Sequence, residues 1–220
     1  MIPLIDHPGQ FQKLEWFQKI ILLLHFAGIK HVLVLMPKGN GKTSLLAALA
    51  VYHMLTVNRP RVYVGASNVK QANTLYNEVH RVIKVRKAWI KRLKPKPATR
   101  VVHFRSGEDD GSLEVLASDK LGKGSLEGIA PTLGIVEELH AHINDALYAA
   151  INGGLPKRNG RMLSITTAGK DTDSLLGQVR SKAKRMSHQT VHRCLRYVRS
   201  ERGEFAMLEW SLENLLKSGD

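Results

Sequence analysis

His31-Val32-Leu33-Val34-Leu35-Met36-Pro37-Lys38-Gly39-Asn40-Gly41-Lys42-Thr43 is the stretch whose reading decides the fold. Its first six residues form a nearly unbroken apolar run of strand length, the pattern of a strand buried on both faces. Two glycines follow, and across residues 44–55 the apolar positions take helical spacing. Gly41-Lys42-Thr43 matches the end of the GxxxxGK[ST] pattern, with Met36 standing where its first glycine would be.

Strand, glycine loop and helix in that order make a phosphate cradle. Gly39 and Gly41, on either side of Asn40, let backbone N–H groups approach phosphate oxygens. Lys42 reaches the β and γ phosphates, and Thr43, followed by Ser44, offers a hydroxyl to Mg²⁺. The expectation is ATP binding; the rival reading is a glycine-rich turn carrying an exposed lysine.

Upstream, residues 14–27 carry apolar groups at helical spacing, and Gly28 stands where a C-terminal helix cap belongs. Downstream, residues 61–66 and 68–83 read as a second strand and helix. Residues 84–100 are strongly basic, and Pro95 and Pro97 are expected to break any regular element there, leaving a basic surface segment. Residues 101–104 and 113–116 read as strands around the polar turn 106–111, a hairpin insertion. Residues 132–136 form an apolar strand running into Glu137-Glu138, residues 144–151 a helix, and residues 161–166 a further strand running into Thr167-Ala168-Gly169. Such alternation predicts an α/β fold, a mainly parallel central sheet with helices on both faces and ligands at the carboxyl ends of the strands.

Hydrolysis needs an acid on the metal and a base for water. Glu137 and Glu138 at a strand end offer both: Glu137 to hold Mg²⁺ directly or through water, Glu138 to activate the attacking water. A Glu-Glu pair alone is a weak signal, since Asp is usual at the first position; its place after a glycine loop and an apolar strand strengthens it. Thr166 and Thr167 end the next strand with two hydroxyls suited to sensing a γ-phosphate, or simply to making a turn. His140 and His142 read as polar loop residues, because no Cys or Asp completes a ligand set with them.

Composition sets bounds on the partners. The 220 residues include 33 Lys and Arg against 19 Asp and Glu, a net charge of +14, which favours a polyanionic partner such as nucleic acid. The basic segments 84–100 and 180–185 can contact phosphates without reading bases, or can be solvated faces. Cys194, the one cysteine, excludes an intramolecular disulfide and a cysteine-rich metal site and fits a reducing compartment. The apolar run at residues 20–24 is far short of the roughly 20 residues that cross a bilayer.

Taken in order, these segments resemble the ATPase domain of the large terminase subunits of tailed phages, from about residue 14 to residue 169. Trp16-Phe17-Gln18-Lys19 is similar to the family's adenine-recognising segment, with Gln18 toward the base, and Met36 to Thr43 to its deviant phosphate loop, with Lys38 where an arginine is frequent. Gly65-Ala66-Ser67-Asn68-Val69-Lys70-Gln71-Ala72 resembles the motif after the next strand. Leu126-Glu127-Gly128 with Pro131 and then the 135–142 segment resemble the approach to the acidic motif, and residues 164–169 resemble the coupling motif. Glu137 departs from the family's common Asp.

The resemblance implies a RecA-like P-loop ATPase of the ASCE type that moves double-stranded DNA into a procapsid in the host cytoplasm. Its implied partners are a portal protein, a small terminase subunit and further copies in a ring, a neighbour's basic residue completing each site. Lys38 is the implied basic residue in cis, and Thr166 and Thr167 the coupling pair. Residues 1–170 are expected to form the ATPase core. Residues 171–220, with a basic helix at 180–185, are expected to end that domain or to lead toward a nuclease domain absent from this chain. Two other readings share the same residues: a helicase-like DNA translocase outside packaging, and a silent nucleotide- and DNA-binding module.

Overall fold

The apolar run before the glycine loop is a strand buried at every position because it lies inside a wide sheet covered on both faces. The computed structural model describes residues 2–3, 11–106, 109–120, 126–142, 144–169 and 171–212. Their elements are β1 (Ile2–Pro3), β2 (Phe11–Gln12), α1 (Trp16–Phe26), β3 (His31–Leu35), α2 (Lys42–Thr56), β4 (Arg61–Ala66), α3 (Val69–Lys84), α4 (Lys87–Arg92) and β5 (Leu93–Lys96). They continue with β6 (Val101–Ser106), β7 (Asp109–Ala117), β8 (Leu133–Glu137), α5 (Ala146–Gly154), β9 (Arg161–Thr166), α6 (Leu175–Lys184), β10 (His188–His192), β11 (Leu195–Arg199) and β12 (Phe205–Trp210).

The main sheet has the order β10-β11-β12-β3-β9-β8-β4-β7-β6-β5. Its six central strands, β12 through β7, run parallel, and antiparallel strands flank them at both ends. Side chains of β3 alternate between two cores: Val32 and Val34 pack with α1, α2 and α3, while Leu33 and Leu35 pack with α5 and α6. That double burial is why the strand reads as continuous rather than alternating. Leu45, Leu46 and Leu49 fix α2 to the sheet, each contributing about 1.5–3 kcal/mol by burial.

Helix α3 begins where its sequence says it should: the Asn68 side chain accepts from Gln71 N at 3.0 Å, an N-cap. Gly28 takes φ +96° just after α1, as a left-handed cap. Strands β4 and β9 match their expected bounds end to end.

The expectation that Pro95 and Pro97 prevent regular structure is corrected. Residues 93–96 form β5, paired antiparallel with β6, and residues 87–92 form α4. An edge strand has one row of N–H groups with no ladder to complete, so Pro95 is tolerated there. The hairpin β6–β7 is built into the main sheet through β7, which pairs parallel with β4. Gly107 and Glu108 of its turn lie outside the described residues, as do residues 213–220. Residues 205–210 form β12, a parallel neighbour of β3 with Phe205 opposite His31 and Glu209 opposite Leu35. Among the described residues no helix is long and apolar enough to cross a membrane.

Candidate nucleotide site

The glycine loop leaves the sheet between two strand ends, with Met36 N donating to the Thr166 carbonyl at 3.0 Å. Gly39 (φ +83°) and Gly41 (φ +66°) occupy the left-handed region, which a side chain would strain. Gly41 is the N-cap of α2, so the free N–H groups of its first turn face the loop. Asn40 braces that loop, its Nδ2 donating to the carbonyls of Pro37 (3.1 Å) and Lys38 (3.4 Å). Lys38 is exposed at the loop. Lys42 is buried, its ammonium 3.5 Å from the Pro37 carbonyl and 3.3 Å from Glu138 Oε1.

Strand β9 lies between β3 and β8, so the strands carrying the loop and the acids are two apart, about 9.6 Å at the usual strand spacing. The first turn of α2 closes this gap: Thr43 Oγ1 donates to Glu137 Oε1 at 2.6 Å. Glu137 is 6% exposed. Burial pushes its carboxyl above the ordinary carboxylate range; the Thr43 hydrogen bond works against this, the Glu138 charge adds to it, and Lys42 opposes it.

Glu138 turns out of β8 with φ +50° and ψ +52°, a left-handed conformation costly for a residue with a side chain. Several contacts hold it there. Its N–H donates to the Ile165 carbonyl at 2.8 Å, and its Oε2 accepts from Thr167 N (3.1 Å) and Thr167 Oγ1 (3.2 Å). The turn brings the carboxylate toward Lys42 instead of continuing the strand.

A 3-10 turn over Leu139–Ala141 folds His140 back onto this group. Its Nδ1 lies 3.2 Å from Glu138 Oε2 and 2.9 Å from Thr166 Oγ1, and its N–H donates to Thr166 Oγ1 at 3.3 Å. The His142 ring nitrogen Nε2 is 3.0 Å from the Glu137 carbonyl oxygen. Burial lowers its pKa, the bond to Glu137 opposes the shift, and His140 adds to it. His140 escapes a sequence reading because only this turn, unmarked by any spacing, carries it to the carboxylate.

Gln18 and Ser44 stand differently. Gln18 Oε1 accepts from Glu15 N (3.1 Å) in a capping box, and its Nε2 donates to the Asn40 carbonyl (3.5 Å), tying α1 to the glycine loop. Ser44 Oγ donates to Glu78 Oε1 on α3 at 2.9 Å, away from the loop. Beside the loop opens a cleft of about 330 Å³ lined by Trp16, Phe17, Met36, Asn40, Cys194 and Trp210, among others. The rings of Trp16, Phe17 and Trp210 meet edge to face, with centroids 6.0–6.3 Å apart. Trp210 and Cys194 were not legible as neighbours of this loop in the sequence.

A mostly parallel sheet, flanked by helices and carrying β9 between the glycine-loop strand and the acidic strand, is a RecA-like α/β fold. The chain belongs to the family of terminase large subunit ATPase domains, whose profile matches residues 17–185. Its fold is similar to that of the HK97 bacteriophage large terminase (TM-score 0.70, 19% identity, 82% of this chain and 40% of that one). It is similar also to the large terminase of the thermophilic bacteriophage D6E in complex with ADP (0.66, 10%, 93% and 47%). The large terminase ATPase domain of Thermus phage P74-26 is a third neighbour (0.59, 15%, 78% and 72%). The chain thus spans less than half of the HK97 and D6E proteins. No curated protein matches it in sequence.

Proposed function

We propose that this chain hydrolyses ATP with Mg²⁺ at the carboxyl ends of β3, β8 and β9, and that hydrolysis drives double-stranded DNA into a viral procapsid. The observation that carries the reading is the convergence of Lys42, Thr43, Glu137 and Glu138 at one loop, within the contacts of 2.6 and 3.3 Å given above.

In this reading the first-turn N–H groups of α2, with Gly39, Asn40 and Gly41, receive the phosphates. The incoming γ-phosphate competes with Glu138 for the Lys42 ammonium, so binding frees the carboxylate to accept a proton from water. Thr167 and His140 keep Glu138 aimed while this exchange takes place. Thr43 and Glu137 supply hydroxyl and carboxylate oxygens 2.6 Å apart, a donor set that fits a hard dication. Mg²⁺, when bound, neutralises charge on the β and γ oxygens. Gln18 faces the base from the glycine-loop side, Ser44 completes the first turn, and Lys38, exposed, reaches the transferring group. Thr166 and Thr167 couple the product state to movement through their bonds to the acidic turn.

The pairing of β12 with β3 supports reading residues 171–212 as the end of the ATPase domain that begins with the core at 1–170. Portal protein, small terminase subunit and neighbouring copies in a ring are the partners this function requires, the ring supplying a basic residue in trans. The work takes place in the host cytoplasm, docked on the procapsid. ADP and ATP-gamma-S are bound in structures of the D6E terminase, which supports an adenine nucleotide here.

The test is Mg²⁺-dependent phosphate release by wild type, Glu138→Gln and Lys42→Ala across protein concentrations, with nucleotide binding in parallel. Activity that rises faster than concentration and disappears in both variants is expected. Binding without turnover in concentrated wild type would select the silent module, and full stimulation by DNA without portal-bearing capsids would select a translocase outside packaging.

A further inference from the structure

We propose that the rim formed by α4 and β5, at the far edge of the sheet, is the surface that grips the phosphate backbone of double-stranded DNA. The proposal rests on the reading of the chain as a DNA motor and assigns that motor its contact face.

Residues 79–107 contain ten Lys or Arg and no Asp or Glu, so this stretch supplies most of the net charge of +14. Lys87, Lys91, Arg92, Lys94 and Lys96 are all exposed. Among the described residues none of these five is in an ion pair. Arg92 lies over the Phe104 ring at 4.9 Å, and Lys94 Nζ donates to the Ile90 carbonyl at 3.4 Å.

The second basic segment is used differently. Arg180 and Lys184 of α6 turn inward onto Glu209, which is 2% exposed, so part of that charge is neutralised within the fold. The α4–β5 rim faces outward instead. On β5, Leu93 is buried and Pro95 half-buried, while Lys94 and Lys96 project to the open side, about 6.7 Å apart along the strand. Opposite Lys94 on β6 stands His103, and Arg105 follows on the same side of that strand.

Edge lysines and a proline do blunt a sheet edge against stray pairing. One or two residues suffice for that, whereas this excess runs through a helix, the edge strand and the strand behind it. Like charges gathered without internal partners repel one another, and an external polyanion offsets the repulsion. Lysine and arginine on phosphates carry no sequence information, which suits a motor that must pass over any sequence. Strand β5 lies four strands from β8, about 19 Å at the usual spacing, so the rim is separate from the nucleotide site.

The experiment follows the anisotropy of a labelled mixed-sequence duplex against salt, for wild type and for the combined variant Lys87→Gln, Lys91→Gln, Lys94→Gln, Lys96→Gln. A control, Lys182→Gln with Arg185→Gln, removes exposed charge from the α6 segment. Loss of about tenfold or more in affinity is expected in the rim variant, with the log–log salt slope smaller by about 3.6, roughly 0.9 for each of the four lost contacts. The control should bind as wild type does, and ATPase activity measured without DNA should be the same in all three. Unchanged affinity and slope in the rim variant would overturn the proposal. So would retained DNA binding with loss of polyglutamate binding, which would assign the rim to an acidic protein. Rim-dependent DNA binding by a wild type that never hydrolyses ATP would overturn the motor reading and support the rim.

Discussion

Glu138 Oε2 accepts hydrogen bonds from both the backbone N–H and the hydroxyl of Thr167, at 3.1 and 3.2 Å, so the carboxylate after β8 is held by the residue after β9. Thr167→Val removes the hydroxyl and keeps the N–H. A hydrogen bond to a charged group is worth about 1.5–3 kcal/mol, so phosphate release should fall roughly tenfold or more while ATP affinity moves by less than about threefold. Rapid-quench turnover beside a binding titration separates the two; equal losses in both would sink the positioning role.

Glu137 pairs burial with a hydroxyl donor, and its pH signature follows. Because its folded pKa lies above the ordinary 4.5, the folded state holds the proton over a window where the unfolded state has lost it. Stability contributed there is present below the ordinary value and is lost as pH rises through the folded value. Glu137→Gln carries no charge to bury and keeps an acceptor for Thr43. It should melt above wild type at about pH 7.5, the gap closing as pH falls through the raised folded value toward the ordinary 4.5. Calorimetry at both pH values checks this, and a gap that widens on acidification would contradict it.

Cys194 lines the apolar cleft beside the glycine loop, and as the one cysteine of the chain it labels cleanly. ATP seated against Trp16, Phe17 and Trp210 should slow its alkylation at least about fivefold, since thiol reaction rate tracks access. Mass spectrometry of maleimide adducts over time reads this directly. Identical rates with and without saturating ATP would place the base elsewhere.

Glu209 is enclosed by Arg180 and Lys184 of α6 and by Arg196 of β11, with the Lys184 and Arg196 contacts at 3.7 and 3.5 Å. Removing a buried charge that holds several partners is costly: Glu209→Ala should lower unfolding free energy by about 3–5 kcal/mol. Lys184→Ala, at a part-exposed nitrogen, should cost about 1 kcal/mol or less. Urea denaturation of both variants decides, and comparable small losses would mean the cluster is solvated in practice.

The centre of the fold was readable because its strands are buried on both faces. Residues 32–35 are apolar throughout, Met162, Leu163 and Ile165 give 161–166 its apolar character, and each run leads into the glycine or hydroxyl residues that terminate it. The periphery was not. Two prolines hid β5, since a rule for interior strands does not bind an edge. Strand β12 carries Glu209 in a buried position, a charge that argues against a central strand until its basic partners, distant in sequence, are seen. At the site, Lys42, Thr43, Glu137 and Glu138 were legible from order alone. His140 and Trp210 were not, because a left-handed turn and a parallel pairing bring them in, and neither leaves a periodic trace.

The strand that bears the glycine loop has β12 as one of its two neighbours, and the aromatic cleft takes one wall from α1 and the other from the end of β12. During translation these walls leave the ribosome far apart in time. Until residues 205–210 emerge, β3 presents a bare edge and the cleft has a single side. Completion of the pocket therefore waits on residues 205–210: a chain truncated before this point would carry Lys42, Thr43, Glu137 and Glu138, yet lack the Trp210 wall of the cleft beside its glycine loop.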